Sequence, residues 1–541
     1  MTSTRVDRPF GSRSFRRAGI AGTAAMALVL SACGGGGSGG GGEDGVIFGT
    51  TDSVENLDPA RCYDYYCSTI LDNVGATLVS YEPGETETSP NLTTDEPEIS
   101  DDGKTYTFTL RDDVEFHNGS ELTSEDVEFS LNRARWINHP QGAASLLDGI
   151  ESIDTPDAET VEIELDEKDV TFTAKLAYNI ATILPSDEYD SPDEKITGDS
   201  AGEDPDDYLS DDLVSAGPYT LEDYRADESI ELAAFDDYFG DAPKNDKVKV
   251  EFYAKPAQLM NSLESDEVDV AFRNLDSDQR DSLQDNDDIK MIEGEGAEIR
   301  YLVLNPYLEP FDDKDVRKAV AAAMDRDRII DEVYNGIGEP LYSMVPPFFD
   351  ELSKNDFEDE YADKEPSDFI DEKVTVDLWY GTDHYGPEES TLAGTVSRML
   401  EESDMFDVNI EKAPWGEFSD NMAPGEAGQY PAFLLGWYPD YLDADDYVKP
   451  FYDSEGFVQM YDNPKMDELI DDEQQADDPE SSSREGTFAD IQELAAEDVP
   501  IIPTHVNTPV AFARNDVSGV QDTMDASQIF RYYTIHHNDQ G

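Results

Sequence analysis

The chain has 541 residues, and its 124 acidic residues against 37 basic ones give a formal net charge of −87 at pH 7. A charge of this sign argues against nucleic acid as a partner, because the phosphate backbone would be repelled. Hydrophobic residues make up 38% of the sequence and aromatic residues 10%, which indicates a folded core rather than a disordered chain. The acidic residues are spread over the whole chain, so we expect a solvated, halophile-type surface rather than a local site for a polycation.

Residues 1–32 have the pattern of a secretion signal. Arg13, Arg16 and Arg17 form a basic cluster, and the apolar run that follows at residues 18–30 is too short to cross a bilayer as a stable helix. We therefore expect a signal peptide that is removed on export. The arginine pair leaves open whether export uses the Sec or the twin-arginine route.

Cys33 follows Leu30, Ser31 and Ala32, and this order resembles the cleavage and acylation site of bacterial lipoproteins. The resemblance implies that the mature chain starts at Cys33 and that a lipid on its sulfur ties it to the membrane. A tract rich in glycine follows, so residues 33–45 are expected to form a lipidated, flexible tether. The implied location is the extracytoplasmic face of the cell membrane. An ordinary signal peptide with a chance cysteine is the alternative.

Cys62 and Cys67 are the other two cysteines of the chain. Outside the cytoplasm an even pair is more often bridged than free, so a disulfide is the expected state. Two thiols five positions apart with no histidine nearby supply half of a metal site, which makes metal binding the weaker interpretation. We expect neither a metal site nor a cofactor.

After residue 42, strand and helix patterns alternate without a repeat or a long linker, which predicts one large α/β body. Alternating apolar and polar residues at 105–110 predict a strand with one buried face. Thr123, three residues before Asp126, predicts the start of a helix. Apolar residues at helical spacing predict two further helices, one over residues 313–324 and one around residues 488–495. About 500 residues are too many for a single core, so two lobes are expected.

Eleven short segments, in order along about residues 46–520, carry a resemblance to one protein family. They are NLDPA at 56–60, SDDGKTYTFTLR at 100–111, FHNG at 116–119, LTSEDV at 122–127, AGPY at 216–219, FDD at 311–313, VRKA at 316–319, GW at 436–437, DY at 440–441, NPKMDEL at 463–469 and AEDVPIIP at 496–503. Together they resemble the family 5 extracellular solute-binding proteins, which serve ATP-binding-cassette importers of peptides and nickel.

The resemblance implies a two-lobed α/β fold of the periplasmic-binding-protein type, class II, with an extra subdomain and a hinge of two segments. It places the hinge crossings near residues 299–305 and 499–505. Lobe I would then comprise residues 46–298 together with 504–541, and lobe II residues 299–503. Such a protein closes over its solute by hinge motion and presents it to a membrane permease.

The implied function is that of a lipid-anchored, monomeric binding subunit that captures oligopeptides and passes them to a permease driven by an ATPase. It is not an enzyme: outside the glycine tract, the sequence contains none of the common nucleophile or zinc-protease motifs. Nickel or a metal chelate, an oligosaccharide, and a surface receptor or adhesin without transport remain alternatives. The nickel alternative is weakened because the six histidines show no ligand spacing beyond the pair His536 and His537.

Asp440 is the best candidate for a ligand contact, because it matches the aspartate that holds the α-ammonium in peptide-binding members of the family. A desolvated ammonium needs an ionised partner, so the chemistry suits a carboxylate. Trp437 resembles the aromatic wall against which peptide side chains pack. Tyr438, Tyr441 and Asp443 are neighbours that could line the same pocket.

The segment at residues 378–385 departs from the dipeptide-selective relatives, which place an arginine there for the ligand carboxylate. No arginine occurs in this segment, so longer oligopeptides are favoured over a strict dipeptide clamp. Aromatic residues suit apolar side chains or sugar rings, and His384 and Arg398 are the nearest cations in sequence. The further candidates are Trp379, Tyr380, His384, Tyr385, Arg398 and Trp415.

Overall fold

The computed structural model describes residues 45–54, 56–140, 142–189, 213–422, 429–454, 456, 461–527 and 529–538. The predicted signal peptide, Cys33 and all of the predicted tether except Gly45 lie outside the described residues. Within the described part, no helix is long and apolar enough to cross a membrane.

The described part of the chain contains twenty-one strands. In chain order they are β1 Gly45–Thr50, β2 Val79–Tyr81, β3 Thr88–Pro90, β4 Glu98–Ile99, β5 Thr105–Thr109, β6 Ile150–Asp157, β7 Thr160–Leu165, β8 Tyr219–Arg225, β9 Ser229–Ala234, β10 Lys247–Phe252, β11 Val270–Phe272, β12 Ile289–Glu293, β13 Ile299–Leu304, β14 Glu339–Pro340, β15 Val374–Gly381, β16 Phe406–Ala413, β17 Ala432–Trp437, β18 Ile501–Val506, β19 Val510–Arg514, β20 Val517–Ser518 and β21 His536–His537.

Thirteen α-helices occur in the same described residues. They are α1 Tyr65–Val74, α2 Ser124–Ile137, α3 Phe172–Lys175, α4 Pro256–Glu264, α5 Ser277–Gln284, α6 Lys314–Ala322, α7 Arg326–Tyr334, α8 Asp356–Tyr361, α9 Glu389–Glu402, α10 Trp415–Asn421, α11 Lys449–Tyr452, α12 Pro464–Gln474 and α13 Ser482–Asp498.

Seven strands form the first sheet, in the order β12-β19-β11-β1-β10-β9-β8. β1 runs parallel to both β10 and β11, so the carboxyl ends of these three strands meet at one edge of the sheet. Val46 and Phe48 of β1 share a buried core with Ile70 of α1. This packing holds α1 close to the edge at which the three parallel strands end.

Six strands form the second sheet, in the order β14-β18-β13-β17-β15-β16. β13 lies between β17 and β18, and all six of its residues are buried. Its continuous apolar sequence is typical of a strand that is covered on both faces. β15 runs parallel to β17 and β16, so the carboxyl ends of these strands also share one edge.

The chain passes between the two sheets twice. It enters the second sheet at β13, directly after β12 of the first sheet, and returns from β18 to β19. Val506 still pairs with Ile299, so the chain stays in the second sheet through Val506. Residue 503, the end of lobe II expected from the sequence, lies within β18. The α/β class is confirmed.

A third sheet of four strands, in the order β4-β5-β7-β6, packs with α2 and corresponds to the extra subdomain. The strand predicted at residues 105–110 is confirmed as β5, with Tyr106 and Phe108 buried. The predicted start of α2 is also confirmed. The backbone N–H of Thr123 donates to Asp126 Oδ2 at 2.8 Å, as part of a capping box.

Two further helix predictions are confirmed in the region of the second sheet. α6 begins after Asp313, whose carboxylate accepts a hydrogen bond from the backbone N–H of Asp315 at 2.9 Å. α13 covers the predicted residues 488–495 and buries Phe488 and Ile491. Both helices therefore face the core with the apolar sides that the sequence indicated.

Candidate functional site

A cavity of about 1070 Å³ is lined by residues from the edges of both sheets. The lining comes from segments that follow parallel strands, which is where open α/β sheets place their ligand sites. We call wall A the lining residues 51–53, 63–72 and 273–274, which follow β1 and β11 or belong to α1 and the turn before it. Wall B comprises residues 383–385, 415 and 437–442, which lie at or beyond the ends of β15, β16 and β17. The volume is at the upper end for drug-sized ligands and leaves room for a larger one.

Asp440 lines the cavity from wall B and is partly buried. The hydroxyl of Tyr63 on wall A donates to Asp440 Oδ2 at 3.0 Å. Burial raises the pKa of the Asp440 carboxyl to about 7, while the hydrogen bond from Tyr63 acts in the opposite direction. No cationic side chain in the described part of the chain forms an ion pair with Asp440. This carboxyl therefore has little water and no positive partner, which is the state that a ligand ammonium would relieve.

Asp446 supports the turn that carries Asp440. Its Oδ2 accepts hydrogen bonds from the backbone N–H of Asp440 at 2.9 Å and from Trp437 Nε1 at 3.1 Å. Burial raises the pKa of Asp446 well above its usual value, and the nearby charge of Asp440 adds to the rise. The two carboxyls therefore compete for a single negative charge at neutral pH.

Trp437 and Tyr441 line the cavity but are largely buried behind it, at 7% and 3% exposure. Trp437 packs edge-on against Phe451, with the ring centroids 5.2 Å apart. The hydroxyl of Tyr441 donates to Asp445 Oδ2 at 2.7 Å. Both residues therefore contribute to the cavity lining and also support it from behind.

Tyr438 joins wall B to Arg273 of wall A. Arg273 Nη2 donates to the Tyr438 hydroxyl at 2.7 Å, and Arg273 Nε lies 3.1 Å from Asp52 Oδ2. The guanidinium carbon lies 4.5 Å from the ring centroid of Tyr65 and 5.0 Å from that of Tyr438, distances at which a cation and an aromatic face attract. Arg273 is a cation in the cavity that the sequence did not point to.

The backbone at Arg273 forms a tight turn at the end of β11. Arg273 and Asn274 have φ values of 74° and 57°, in the left-handed region that non-glycine residues seldom adopt. Asn274 Nδ2 donates to Thr51 Oγ1 at 2.9 Å, which ties this turn to the end of β1. The asparagine after a short apolar strand was the available sequence signal for such a turn.

His384 and Trp415 form a stacked pair on wall B, with ring centroids 3.7 Å apart and planes 7° apart. Tyr385 packs against both rings at near right angles. Burial, together with the charges of Arg273 and Arg300, lowers the pKa of His384 to about 3. His384 is therefore neutral at neutral pH and contributes an aromatic surface instead of the cation considered from the sequence.

Four of the residues suggested by the sequence do not line this cavity. Trp379 stacks on Tyr430, with centroids 4.2 Å apart, and Tyr380 is buried in the core that contains α9. Both lie within β15, before the strand end at which the lining begins. The other two are charged residues engaged elsewhere: Asp443 with Arg484 and Arg398 with Glu332. Trp379, Tyr380, Asp443 and Arg398 therefore lie outside the lining of this cavity.

Cys62 and Cys67 form a disulfide in the structure, with their Cα atoms 5.9 Å apart. The bridge closes the turn that carries Tyr63 and leads into α1. It therefore fixes the part of wall A that contacts Asp440.

Comparison with known proteins places the chain in a defined group. Residues 87–459 match the family model described as bacterial extracellular solute-binding proteins, family 5 Middle. A dipeptide-binding protein of Escherichia coli (strain K12) is 27% identical over 405 residues, which cover 69% of this chain and 72% of that protein. The dipeptide-binding protein DppE of Bacillus subtilis (strain 168) is 24% identical over 447 residues, covering 78% of this chain and 79% of that protein.

A solved structure supports the fold. The periplasmic binding protein DppA of Helicobacter pylori, in complex with the peptide STSA, matches with a TM-score of 0.74 at 22% identity. The match covers 91% of this chain and 98% of that one. The two-lobed α/β fold implied by the sequence resemblance is confirmed.

Proposed function

The chain belongs to the family 5 bacterial extracellular solute-binding proteins, and on this basis we propose that it captures oligopeptides in its cavity and delivers them to the permease of an ABC importer. The dipeptide-binding relatives and the peptide-bound structural neighbour support a peptide as the solute. A volume of about 1070 Å³ favours ligands longer than a dipeptide. A binding role, without catalysis, follows the character of the family.

The observation that carries the proposal is the state of Asp440. A partly buried carboxyl with a pKa near 7 and no cationic partner among the described residues is poorly solvated by the protein itself. The α-ammonium of a peptide would supply the missing charge and donate to the free side of the carboxylate. Tyr63 would orient the other side through its 3.0 Å hydrogen bond.

The proposed lobes follow the two passages of the chain between the sheets. Lobe I would comprise residues 46–298 and the returning C-terminal segment, and lobe II the residues from 299 to the end of β18. The segments near residues 299–305 and 499–505 would act as the hinge. Wall A belongs to the first of these lobes and wall B to the second, so a ligand that touches both walls would favour the closed state.

The proposed location rests on the N-terminal sequence. A lipid on Cys33 would hold the protein on the extracytoplasmic face of the membrane, and the glycine-rich tether would leave it free to turn toward its permease. We propose the signal peptide and the lipid from the N-terminal sequence. We propose the permease and the ATPase from the family.

A nickel or metal-chelate ligand has less support from the site. No group of three or more His, Cys, Asp or Glu residues that could hold a metal ion occurs among the described residues. His384 is stacked on Trp415. Sugars remain compatible with the aromatic part of wall B, so mass spectrometry of the molecule that co-purifies in the cavity separates the three ligand classes.

The test compares wild type with Asp440→Asn by calorimetry, using a tetra-alanine peptide and its N-acetylated form. Removing one partner of a desolvated charge pair costs about 2 to 5 kcal/mol, so the variant should lose most of its affinity for the free peptide. The acetylated peptide should bind both proteins weakly. Asp420→Asn, at an exposed position on α10, is the matched control and should bind as wild type does. Equal affinity of wild type and Asp440→Asn for the free peptide would contradict the role of Asp440.

A further inference from the structure

One face of α1 forms a continuous part of the cavity lining. Tyr65, Ser68, Asp72 and Gly75, at the end of the helix, all line the cavity, and their spacing of three, four and three residues places them along one side of a helix. Asp72 is the charged member of this row. It lies in the last turn of α1, about 10 Å along the helix axis from Tyr65.

The position of Asp72 is unfavourable for the folded protein taken alone. The carboxyl end of a helix carries partial negative charge, so a carboxylate there is repelled where a cation would be attracted. Burial also raises the pKa of Asp72. Within the described part of the chain, its side chain makes neither a hydrogen bond nor an ion pair. Helix stability therefore gives no reason for an aspartate at this position.

Arg531 is a cation whose charge acts on Asp72, and it is already paired with Asp525. Its Nη1 lies 2.7 Å from Asp525 Oδ2, and its Nη2 donates to the carbonyl oxygen of Tyr81 and to Ser527 Oγ at 3.4 and 3.3 Å. The charge of Arg531 only partly offsets the effect of burial on Asp72. One negative charge therefore remains unbalanced at this end of the cavity.

Two tyrosines of the cavity lining interact electrostatically with Asp72. Tyr238 and Tyr533 line the same cavity and are partly exposed to it. Burial raises the pKa of both phenols, and the charge of Asp72 adds to the rise. Both hydroxyls therefore stay protonated at neutral pH, and the rings offer apolar faces next to an unpaired carboxylate.

We propose that Asp72, Tyr238 and Tyr533 form a subsite for the cationic side chain of a bound peptide. The methylene stem of a lysine or arginine would lie along the tyrosine rings, and its charged head would meet Asp72. This inference rests on the proposed peptide-binding function and adds a substrate class to it, namely peptides that carry a basic residue.

The geometry also gives the position of that residue. Asp440 contacts Tyr63, next to the start of α1, and Asp72 lies about 10 Å further along the helix. An extended peptide advances about 3.3 Å per residue. Two such steps, about 6.6 Å, take the peptide from an ammonium held by Asp440 to its third residue, from which a long side chain such as that of lysine reaches on toward Asp72.

The test uses calorimetry with three peptides: Ala-Ala-Lys-Ala, Ala-Ala-norleucine-Ala and Ala-Ala-Ala-Ala. Norleucine keeps the stem of lysine and lacks its charge. Wild type should bind the lysine peptide about ten-fold more tightly than the norleucine peptide, the factor given by one charge-assisted hydrogen bond in a partly solvated site. In Asp72→Asn this ratio should fall to about one, with the affinity for the norleucine peptide unchanged. Glu85→Gln, at an exposed position outside the cavity lining, should retain the wild-type ratio.

Each outcome of this experiment separates the two proposals. If wild type binds lysine and norleucine peptides equally, the subsite is wrong and the peptide-binding function stands. If Asp72→Asn keeps the preference for lysine, Asp72 is not its source. If wild type binds none of the three peptides, the proposed function fails and the subsite fails with it. A melting temperature of Asp72→Asn equal to or above that of wild type would show that the variant is folded and that Asp72 does not serve stability.

Discussion

Arg273 on wall A and Asp440 on wall B carry opposite charges and are held in opposite ways. Arg273 has a carboxylate 3.1 Å from its Nε, a tyrosine hydroxyl at Nη2 and aromatic rings on its guanidinium. Asp440 accepts one hydroxyl hydrogen bond to its carboxylate and has no ion-pair partner among the described residues. The protein neutralises the charge of Arg273, and we propose that a ligand neutralises the charge of Asp440.

The difference follows from the cost of desolvating a charge. A buried charge that is paired and hydrogen-bonded is tolerated, whereas one without a partner shifts its pKa or awaits a counter-ion. The charge of Arg273 is paired with that of Asp52, and its hydrogen bond to Tyr438 joins the two walls. We therefore expect changes at Arg273 to affect stability first and changes at Asp440 to affect binding first.

Breaking the ion pair of Arg273 should give the largest loss of stability. Arg273→Met would leave the carboxylate of Asp52 in a mostly buried position without its counter-ion, which costs about 3 kcal/mol of the free energy of unfolding. Urea unfolding followed by circular dichroism measures this loss.

Two controls make the measurement specific to the buried pair. The double variant Asp52→Asn with Arg273→Met removes both charges and should recover at least half of the loss. Arg225→Met breaks the exposed pair of Arg225 with Asp223 and should change stability by less than about 1 kcal/mol. If Arg273→Met lowers the free energy of unfolding no more than Arg225→Met does, the charge of Arg273 does not stabilise the fold. The proposed difference between Arg273 and Asp440 would then be wrong.

The disulfide of wall A should contribute the next largest effect. Replacing Cys62 and Cys67 by serine frees the turn that carries Tyr63, and the chain-entropy model assigns about 2 kcal/mol to closing so short a loop. Unfolding of the double variant without reductant measures the loss. Dithiothreitol should lower the stability of wild type by a similar amount and leave that of the double variant unchanged. A double variant as stable as wild type would contradict this role.

The two walls also differ in how far the sequence predicted them. Much of wall B is one contiguous segment, residues 437–442, so a family motif was enough to identify Asp440 and its neighbours. Wall A is assembled from three separate parts of the chain, and Asp52 and Arg273 meet only because β1 and β11 are parallel neighbours. That adjacency depends on strand order, which local sequence patterns do not contain.

Strand geometry also explains why two aromatic residues suggested by the sequence do not reach the cavity. Trp379 and Tyr380 have the residue types of a binding surface, and the sequence placed them correctly in a strand-like segment. They lie inside β15, where side chains point into the two faces of the sheet, while the cavity begins only beyond Gly381. Residue type was sufficient to predict an aromatic cluster near the site, and the exact end of the strand decided which residues reach it.

The smallest expected effect is a shift in the pH dependence of binding when Tyr63 loses its hydroxyl. The carboxylate of Asp440 is the form that binds an ammonium, and its pKa in the free protein is about 7. Affinity should therefore be highest near pH 7.5 and fall as the pH is lowered, by up to about ten-fold per unit below the pKa. The hydrogen bond from Tyr63 lowers this pKa, so its loss in Tyr63→Phe should raise the midpoint of the fall, by an amount worth less than about 1 kcal/mol.

Calorimetry of tetra-alanine binding from about pH 5 to about pH 7.5 keeps most of the peptide ammonium protonated, so the change in affinity reports mainly on the protein carboxyls. Asp440→Asn should bind weakly at every pH in this range and lose most of the pH dependence, and any dependence that remains belongs to the neighbouring carboxyl of Asp446. A wild-type affinity that does not change with pH would mean that the charge of Asp440 is not exposed to the ligand. A midpoint that moves to lower pH in Tyr63→Phe would mean that Tyr63 stabilises the protonated form of Asp440. Wall A would then not stabilise the carboxylate that binds a cation.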